Sequence, residues 1–366
     1  MPVRRDLQQL ECPSLTETRQ ENLVMINFRT SFAACTLLIL NWSGVSAHHS
    51  FGPFYDRSQS VEIEGEITEV LWHNPHIRFT MTGTDSSGRE QVWDIETNSV
   101  SIVSRRGLTP DLVKVGYRVR VAGSVGKLAD NALFLTNMLL PTGEEIVFSG
   151  NTPRWSQKIV GKDTRAPISD DPAGELGIFR VWTSAGRLWN NNYPLTEAAR
   201  TVRADWDPVD DEPTANCAPK GMVFIMEAPY PIEFVDQGDE ILLRLEEYDL
   251  VRTISMSPDA AFREQPTSLL GRSVGRWEGD TLVVETTGIN YPHFDKTGIP
   301  QSQAVRNEER FSVSADGSRL EYSVIVTDPA TFTEPVVMTK TWVWRPGEEV
   351  QHYDCRQWSQ ADSNTN

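Results

Sequence analysis

The chain has few basic residues for its length: 34 Lys and Arg against 51 Asp and Glu give a net charge of −17 over 366 residues. This deficit excludes nucleic acid as a partner, because binding phosphates requires a basic surface. An anionic membrane surface is disfavoured for the same reason. The apolar run at residues 32–40 is far shorter than the roughly 20 residues of a membrane-spanning helix. We therefore expect no membrane span in the mature chain.

Residues 1–47 have the organisation of an export signal. Arg29 precedes the apolar run Phe32–Leu40, and the sequence VSA at 45–47 is a small-x-small cleavage site before His48. Residues 1–24 are polar and charged, which is unusual ahead of such a signal, so Met25 is the expected true start. These features predict a periplasmic or secreted protein that begins at His48.

Cysteine is scarce, and the sequence contains no CxxC or CxxCH motif. Cys12 and Cys35 lie in the predicted leader, so the mature chain keeps Cys217 and Cys355. An even pair in an oxidising compartment predicts a disulfide between them. The alternative is two separate buried thiols.

The first predicted domain, residues 48–141, alternates apolar and polar residues in five segments, as half-buried strands do. A short helix at 99–106 separates the third strand from the fourth. Three strands, a helix and two strands are the order of a small OB-like barrel. Such a fold does not by itself define a function. The predicted strands are 61–71, 77–83, 90–96, 115–123 and 132–140.

A proline-containing linker is expected at 142–173, followed by a second domain at 174–358 and a polar tail at 359–366. Apart from a helix at Leu195–Ala204, this domain is a series of short strands, with hairpin signals at 279–280 and 316–317. The prediction is an all-β protein whose second domain is an antiparallel barrel or sandwich. Its strands are expected at 221–227, 231–236, 240–248, 250–256, 273–278, 281–287, 306–314, 319–328, 336–345 and 350–355.

Two resemblances cover most of the mature chain. The segments AHHSF (47–51) and WHNPHIRF (72–79) resemble a family of small exported bacterial domains of unknown function. The segment GRSVGRWEGDTLVVETTGIN (271–290) resembles a second uncharacterised exported family. YPIEFV (230–235), NEER (307–310) and YDC (353–355) fit that second family as well. These resemblances imply a fold and an exported location, and neither implies an established reaction.

Four of the six histidines fall between positions 48 and 76, which suggests a metal site. Cleavage before His48 would place its free amine and imidazole side by side, a chelate suited to Cu(II). The alternative is that histidine is incidental near a cleavage site, and that the NPH segment only holds a turn. The candidate copper ligands are His48, His49, His73 and His76.

The segment RNEER in the second domain supplies the catalytic candidates. At a period of two, Arg306, Glu308 and Arg310 share one face of a strand. We expect Glu308 and Arg310 to face the barrel interior, where a charged row can orient a substrate or transfer protons. The alternative is a solvated outer face. The substrate-binding candidates are Trp277, Trp344 and His352.

Three functions remain open. The first is an exported β-protein that binds or transforms a small organic molecule in its C-terminal barrel, with non-redox hydrolase or lyase chemistry if it is an enzyme. The second is a periplasmic copper-binding protein, and the third is a structural or interaction protein of the cell envelope. The sequence defines neither a substrate nor an oligomeric state.

Overall fold

The computed structural model describes residues 51–356, apart from 86, 172–173, 190–191, 213–216 and 258–265. As predicted, β-structure dominates these residues, and the longest of their α-helices has eight residues. Ser99 and Thr196 cap two of the helices, each accepting a hydrogen bond from the backbone N–H three residues on. The helices are α1 (Phe51–Phe54), α2 (Val100–Ser104) and α3 (Glu197–Ala204). The predicted leader, His48, His49 and the polar tail lie outside the described residues.

Five strands of the first block form a closed ring. β1 pairs with β2 and β4, β2 pairs with β3, and β5 closes the ring by pairing with β4 and, in parallel, with β3. This strand order confirms the OB-like barrel. In β1, Ile63 and Ile67 point into the core while the glutamates between them face solvent. The strands are β1 (Tyr55–Leu71), β2 (Arg78–Asp85), β3 (Glu90–Glu96), β4 (Arg118–Gly126) and β5 (Ala132–Leu139).

Two short strands continue this sheet into the segment predicted to be a linker. β6 (Glu145–Val147) pairs with β5, and β7 (Ile159–Val160) pairs in parallel with β6. The turn before β7 is held by Glu145, whose buried carboxylate accepts hydrogen bonds from three consecutive backbone N–H groups at 154–156. The first part of the 142–173 segment is therefore bound to the first block.

The second block is a closed barrel of nine strands in the order β10-β11-β12-β13-β14-β15-β16-β8-β9. Neighbouring strands are antiparallel except β11 and β12, which are parallel. The barrel confirms the predicted architecture. Its strands are β8 (Val181–Ser184), β9 (Ile232–Asp236), β10 (Glu240–Leu245), β11 (Leu250–Ser255), β12 (Arg272–Glu278), β13 (Thr281–Thr287), β14 (Arg306–Val313), β15 (Arg319–Thr327) and β16 (Val336–Val343).

Two predicted strands of this block are wrong. Residues 221–227 contain a turn of 3₁₀ helix at Phe224–Glu227, and 350–355 contributes only an isolated bridge between Cys355 and Asn74. The apolar side chains of residues 222–226 are all buried, so they show no alternation between an inner and an outer face. A short run that is apolar throughout is compatible with either a buried strand or a buried turn.

The barrel has two distinct ends. At the hairpin end, tight turns at 279–280 and 314–318 join β12 to β13 and β14 to β15. At the loop end lie the long connections 185–231 and 288–305 and the contact with the first block. There Arg105 donates to the Glu246 carboxylate at 2.8 and 2.7 Å and to Glu348 at 2.6 Å. None of the helices in the described residues has the length and apolar content that crossing a membrane requires.

Candidate functional site

The predicted disulfide between Cys217 and Cys355 is present, with 5.9 Å between the two Cα atoms. It joins two segments 138 residues apart in sequence. Beside it, the Asn74 side chain donates to the carbonyl oxygen of Tyr353 at 2.9 Å. The disulfide and this hydrogen bond hold the end of the described chain at the loop end of the barrel.

The two described histidines of the candidate copper site are held by backbone groups of the first block. His73 is buried, with Nδ1 2.9 Å from the carbonyl oxygen of Asn74. His76 Nδ1 lies 2.7 Å from the carbonyl oxygen of Thr97 and 3.3 Å from a carboxylate oxygen of Glu96. Across the described ranges, no group of three or more His, Cys, Asp or Glu side chains is arranged to hold a metal. A copper site that uses the N-terminal histidines stays a prediction.

The charged row of β14 has the opposite orientation to the one expected. Arg306, Glu308 and Arg310 lie on the outer face, and the Arg310 side chain is 40% exposed and donates to Glu278 at 2.8 Å. Glu309 points inward instead and is fully buried. The paired strands explain this orientation. The cross-strand neighbours of Glu309 are two fully buried valines, whereas those of Glu308 are Glu285 and Ile325 on the outer face.

Inside the barrel, Glu309 is fully paired. Arg252 on β11 forms a bidentate ion pair with it, one bond being 3.0 Å from Nη1 to Oε1. Tyr322 Oη donates to the same carboxylate at 2.9 Å, and Arg252 Nε donates to Ser273 Oγ at 2.9 Å. Burial raises the pKa of Tyr322 well above its ordinary value, which keeps the phenol a donor. Thr286 on β13 also donates to Glu309, at 3.2 Å, so the network joins five strands through polar contacts within an apolar core.

Arg252 was not among the residues predicted from the sequence, although a signal for it exists. Leu250, Arg252 and Ile254 alternate with outward residues in β11 and share the inward face. An arginine on an inward face requires a buried anion, and Glu309 is the anion that supplies the compensating charge.

A second polar cluster lies at the loop end. Lys220 Nζ contacts both carboxylate oxygens of Glu247, at 2.7 and 2.9 Å. Lys340 Nζ donates to the carbonyl oxygens of Met226 and Ala228 at 2.8 and 2.9 Å, and burial lowers its pKa to about 8. Both lysines are buried and their partners are close, so the cluster holds the 224–228 turn inside this end of the barrel.

The hairpin end carries exposed aromatic rings. Trp277 is 44% exposed and Phe179 is 38% exposed, and their ring centroids lie 6.3 Å apart at an interplanar angle of 70°. Of the predicted substrate-binding residues, Trp277 therefore lies at an open surface. Trp344 lies at the same end with its ring 4.7 Å from the guanidinium of Arg180. His352 lies at the loop end, paired with Asp249, so the three residues do not converge.

Two clefts meet at this aromatic pair, and both rings line both of them. One has a volume of about 540 Å³ and includes Ile178, Val313 and Asp280. The other, of about 520 Å³, includes Ile241, Met256 and Asp236. Volumes of this size, with apolar walls and a few polar groups at the mouth of a barrel, are typical of small-molecule sites.

The comparisons with known proteins concern the first block. Residues 38–132 match the model of a family described as a family of unknown function (DUF6152), and this match covers about a quarter of the chain. This is the block in which the AHHSF and NPH segments lie. No curated protein and no solved structure matches the chain. The second block and its clefts must therefore be interpreted from their own chemistry.

Proposed function

We propose that this protein is an exported β-protein that binds a small neutral or cationic ring compound at the hairpin end of its C-terminal barrel. The observation that carries this proposal is the exposed pair of Trp277 and Phe179 between two clefts. Covering the exposed parts of both rings removes on the order of 150 Å² of apolar surface from water, worth about 4 kcal/mol before the costs of binding. An aromatic ligand adds edge-to-face contacts to that burial.

The charges around the clefts favour this class of ligand. Asp236 and Asp280 line the clefts without an arginine or lysine bound to either in the described residues. The one arginine that lines the second cleft, Arg276, already contacts Glu278 and Glu285 at 2.9 Å each. An anionic ligand would meet this negative potential without a cation to pair with, whereas a neutral or positive ring would not.

We propose binding rather than turnover at this site. The buried acid of the barrel, Glu309, and its partner Arg252 are saturated by each other and lie among the inward side chains, not in the lining of either cleft. The outer residues Arg306, Glu308 and Arg310 likewise do not line these clefts.

Export is supported by two independent features. The signal-like sequence at 1–47 has a short apolar run and a small-x-small cleavage site. The disulfide between Cys217 and Cys355 is of the kind that persists in oxidising compartments such as the periplasm.

The test uses N-phenyl-1-naphthylamine, a neutral aromatic probe that fluoresces on entering an apolar site. We expect saturable binding to the wild-type protein, with the Kd raised about tenfold or more in Trp277→Ala, which corresponds to a loss of roughly 1.4 kcal/mol. The matched control is Trp155→Ala, because Trp155 is a partly exposed indole beside Arg120 on the first block. Equal affinity in Trp277→Ala and wild-type protein would refute the site.

A further inference from the structure

The strand register places the exposed indole of Trp277 at the mouth of the barrel. Trp277 follows Ser273 and Gly275 at a period of two along β12, and both of those residues are buried. It therefore belongs to the inward-facing set, and its cross-strand partner Leu282 is completely buried. Because Trp277 is the last inward residue before the hairpin turn, its ring closes the interior on one side and meets solvent on the other.

Phe179 makes a corner with this indole. The two rings are inclined at 70°, with 6.3 Å between their centroids, so a group seated between them contacts both. Both rings line both clefts, and a ligand in either cleft therefore reaches the corner. The face of an aromatic ring carries partial negative charge and attracts an organic cation that lies within about 6 Å of the ring centroid.

The turns beside the corner carry carboxylates. Asp280 lies in the turn between β12 and β13 and lines the cleft of about 540 Å³, whereas Asp236 at the end of β9 lines the other cleft. Asp236 accepts a hydrogen bond from the backbone N–H of Gly238 at 2.8 Å. Asp280 has no hydrogen-bond or ion-pair partner among the residues that the structure describes. Its negative charge is therefore available to a ligand.

The cleft beside Asp280 contains no compensating cation. Its described lining includes neither lysine nor arginine, and its second carboxylate, Asp171, is 3.4 Å from the guanidinium of Arg180. The chain as a whole has a net charge of −17. A cleft with this sign of charge concentrates cations at its entrance, whereas a neutral ring gains nothing from the potential. A positive charge on the ligand is therefore favoured over none.

We propose that the ligand of this site is a ring compound that carries a quaternary ammonium group. Its charged nitrogen lies in the corner of Trp277 and Phe179 with Asp280 as the counter-ion, and its ring lies along Ile178 and Val313. A quaternary ammonium has no N–H to donate, so aromatic faces and a nearby carboxylate suit it without further acceptors. This inference rests on the proposed function, which it narrows from neutral or cationic rings to cations.

The test compares phenyltrimethylammonium with tert-butylbenzene, which has the same shape without the charge. Each is titrated into the whole protein loaded with N-phenyl-1-naphthylamine, and displacement of this probe gives its affinity. We expect phenyltrimethylammonium to bind about fivefold or more tightly than tert-butylbenzene. Added salt should weaken binding of the cation and leave that of the neutral compound unchanged.

The decisive variant is Asp280→Asn, which removes the charge and keeps a side chain that favours turns. We expect it to raise the Kd for phenyltrimethylammonium about fivefold or more and to leave the Kd values for tert-butylbenzene and the probe unchanged. The control is Glu321→Gln, because Glu321 is an exposed carboxylate on β15 that lines neither cleft, and its loss changes the net charge equally.

The outcomes separate this inference from the proposed function. Equal affinities for the cation and its neutral analogue, or equal weakening by Asp280→Asn and Glu321→Gln, would overturn the cationic ligand. The proposed function would still stand if Trp277→Ala weakened probe binding. Failure of the probe to bind the wild-type protein would overturn the proposed function and this inference with it.

Discussion

Removing the charge of Glu309 tests the buried centre of the barrel. Glu309→Gln keeps the shape of the side chain and one acceptor oxygen, so it can still accept a hydrogen bond from Tyr322 or from Thr286, which donate to different oxygens of the carboxylate. It leaves the Arg252 guanidinium without its anion in a position where the arginine is 2% exposed. The substitution therefore isolates the cost of an uncompensated buried cation from the cost of a cavity.

The magnitude follows from the burial of the pair. Breaking a buried ion pair by removing one partner costs about 3–5 kcal/mol, whereas an exposed pair is worth about 0–1 kcal/mol. Arg252 and Glu309 are both almost completely buried and joined by two bonds. We therefore expect Glu309→Gln to lower the free energy of unfolding by about 3–5 kcal/mol. Urea unfolding followed by circular dichroism measures the change in the free energy of unfolding from the midpoint and slope.

Two further variants make the prediction specific. Glu278→Gln removes an exposed carboxylate bound to Arg310, and we expect it to leave the urea midpoint almost unchanged. The double replacement of Arg252 by Met and Glu309 by Leu should be less destabilising than Glu309→Gln alone, because neither charge then remains buried. If Glu309→Gln lowers the free energy of unfolding by less than about 1 kcal/mol, Arg252 and Glu309 do not form a buried ion pair.

Three further predictions follow from the disulfide, the buried lysine and the leader. Reducing the Cys217–Cys355 bond should lower the free energy of unfolding by on the order of 4–5 kcal/mol, because it closes a loop of 138 residues; an unchanged urea midpoint under reductant would contradict this. Burial lowers the pKa of Lys340 to about 8 in the folded protein, against 10.5 in the unfolded chain. The stability associated with its neutral form is therefore fully present above pH 10.5 and is lost as the pH falls through 8. Relative to Lys340→Met, the wild-type protein should gain roughly 3 kcal/mol between pH 8 and 10.5, and parallel pH profiles would disprove the assignment. N-terminal sequencing of the exported protein should begin at His48, and a mature product that retains Phe32–Leu40 would exclude the proposed cleavage.

Local patterns predicted much of the fold. The alternation of Ile63 and Ile67 with glutamates defines a half-buried strand, and Gly279 followed by Asp280 defines a hairpin. The pairing of Cys217 with Cys355 followed from the count of cysteines left after cleavage. Each of these features can be recognised from neighbouring residues or from a count of cysteines, without knowledge of the tertiary structure.

The sequence could not show which face of β14 points into the barrel. Both faces of this strand carry ionisable residues, so a period of two defines the two sets without saying which set is inside. The choice depends on the valines opposite Glu309 and on Arg252, which lies 57 residues away in sequence. The pairing of Phe179 with Trp277 is likewise a tertiary contact, so the sequence identified the indole without its partner or its clefts.

The most direct test of ligand binding beside Trp277 is ¹⁹F NMR of protein labelled with 5-fluorotryptophan. The Trp277 resonance is assigned from the spectrum of Trp277→Phe and followed as N-phenyl-1-naphthylamine is added. We expect saturable shifts of this resonance, with the Trp155 resonance on the first block unchanged. A probe that binds while the Trp277 resonance stays fixed would contradict a ligand site at the hairpin end of the barrel.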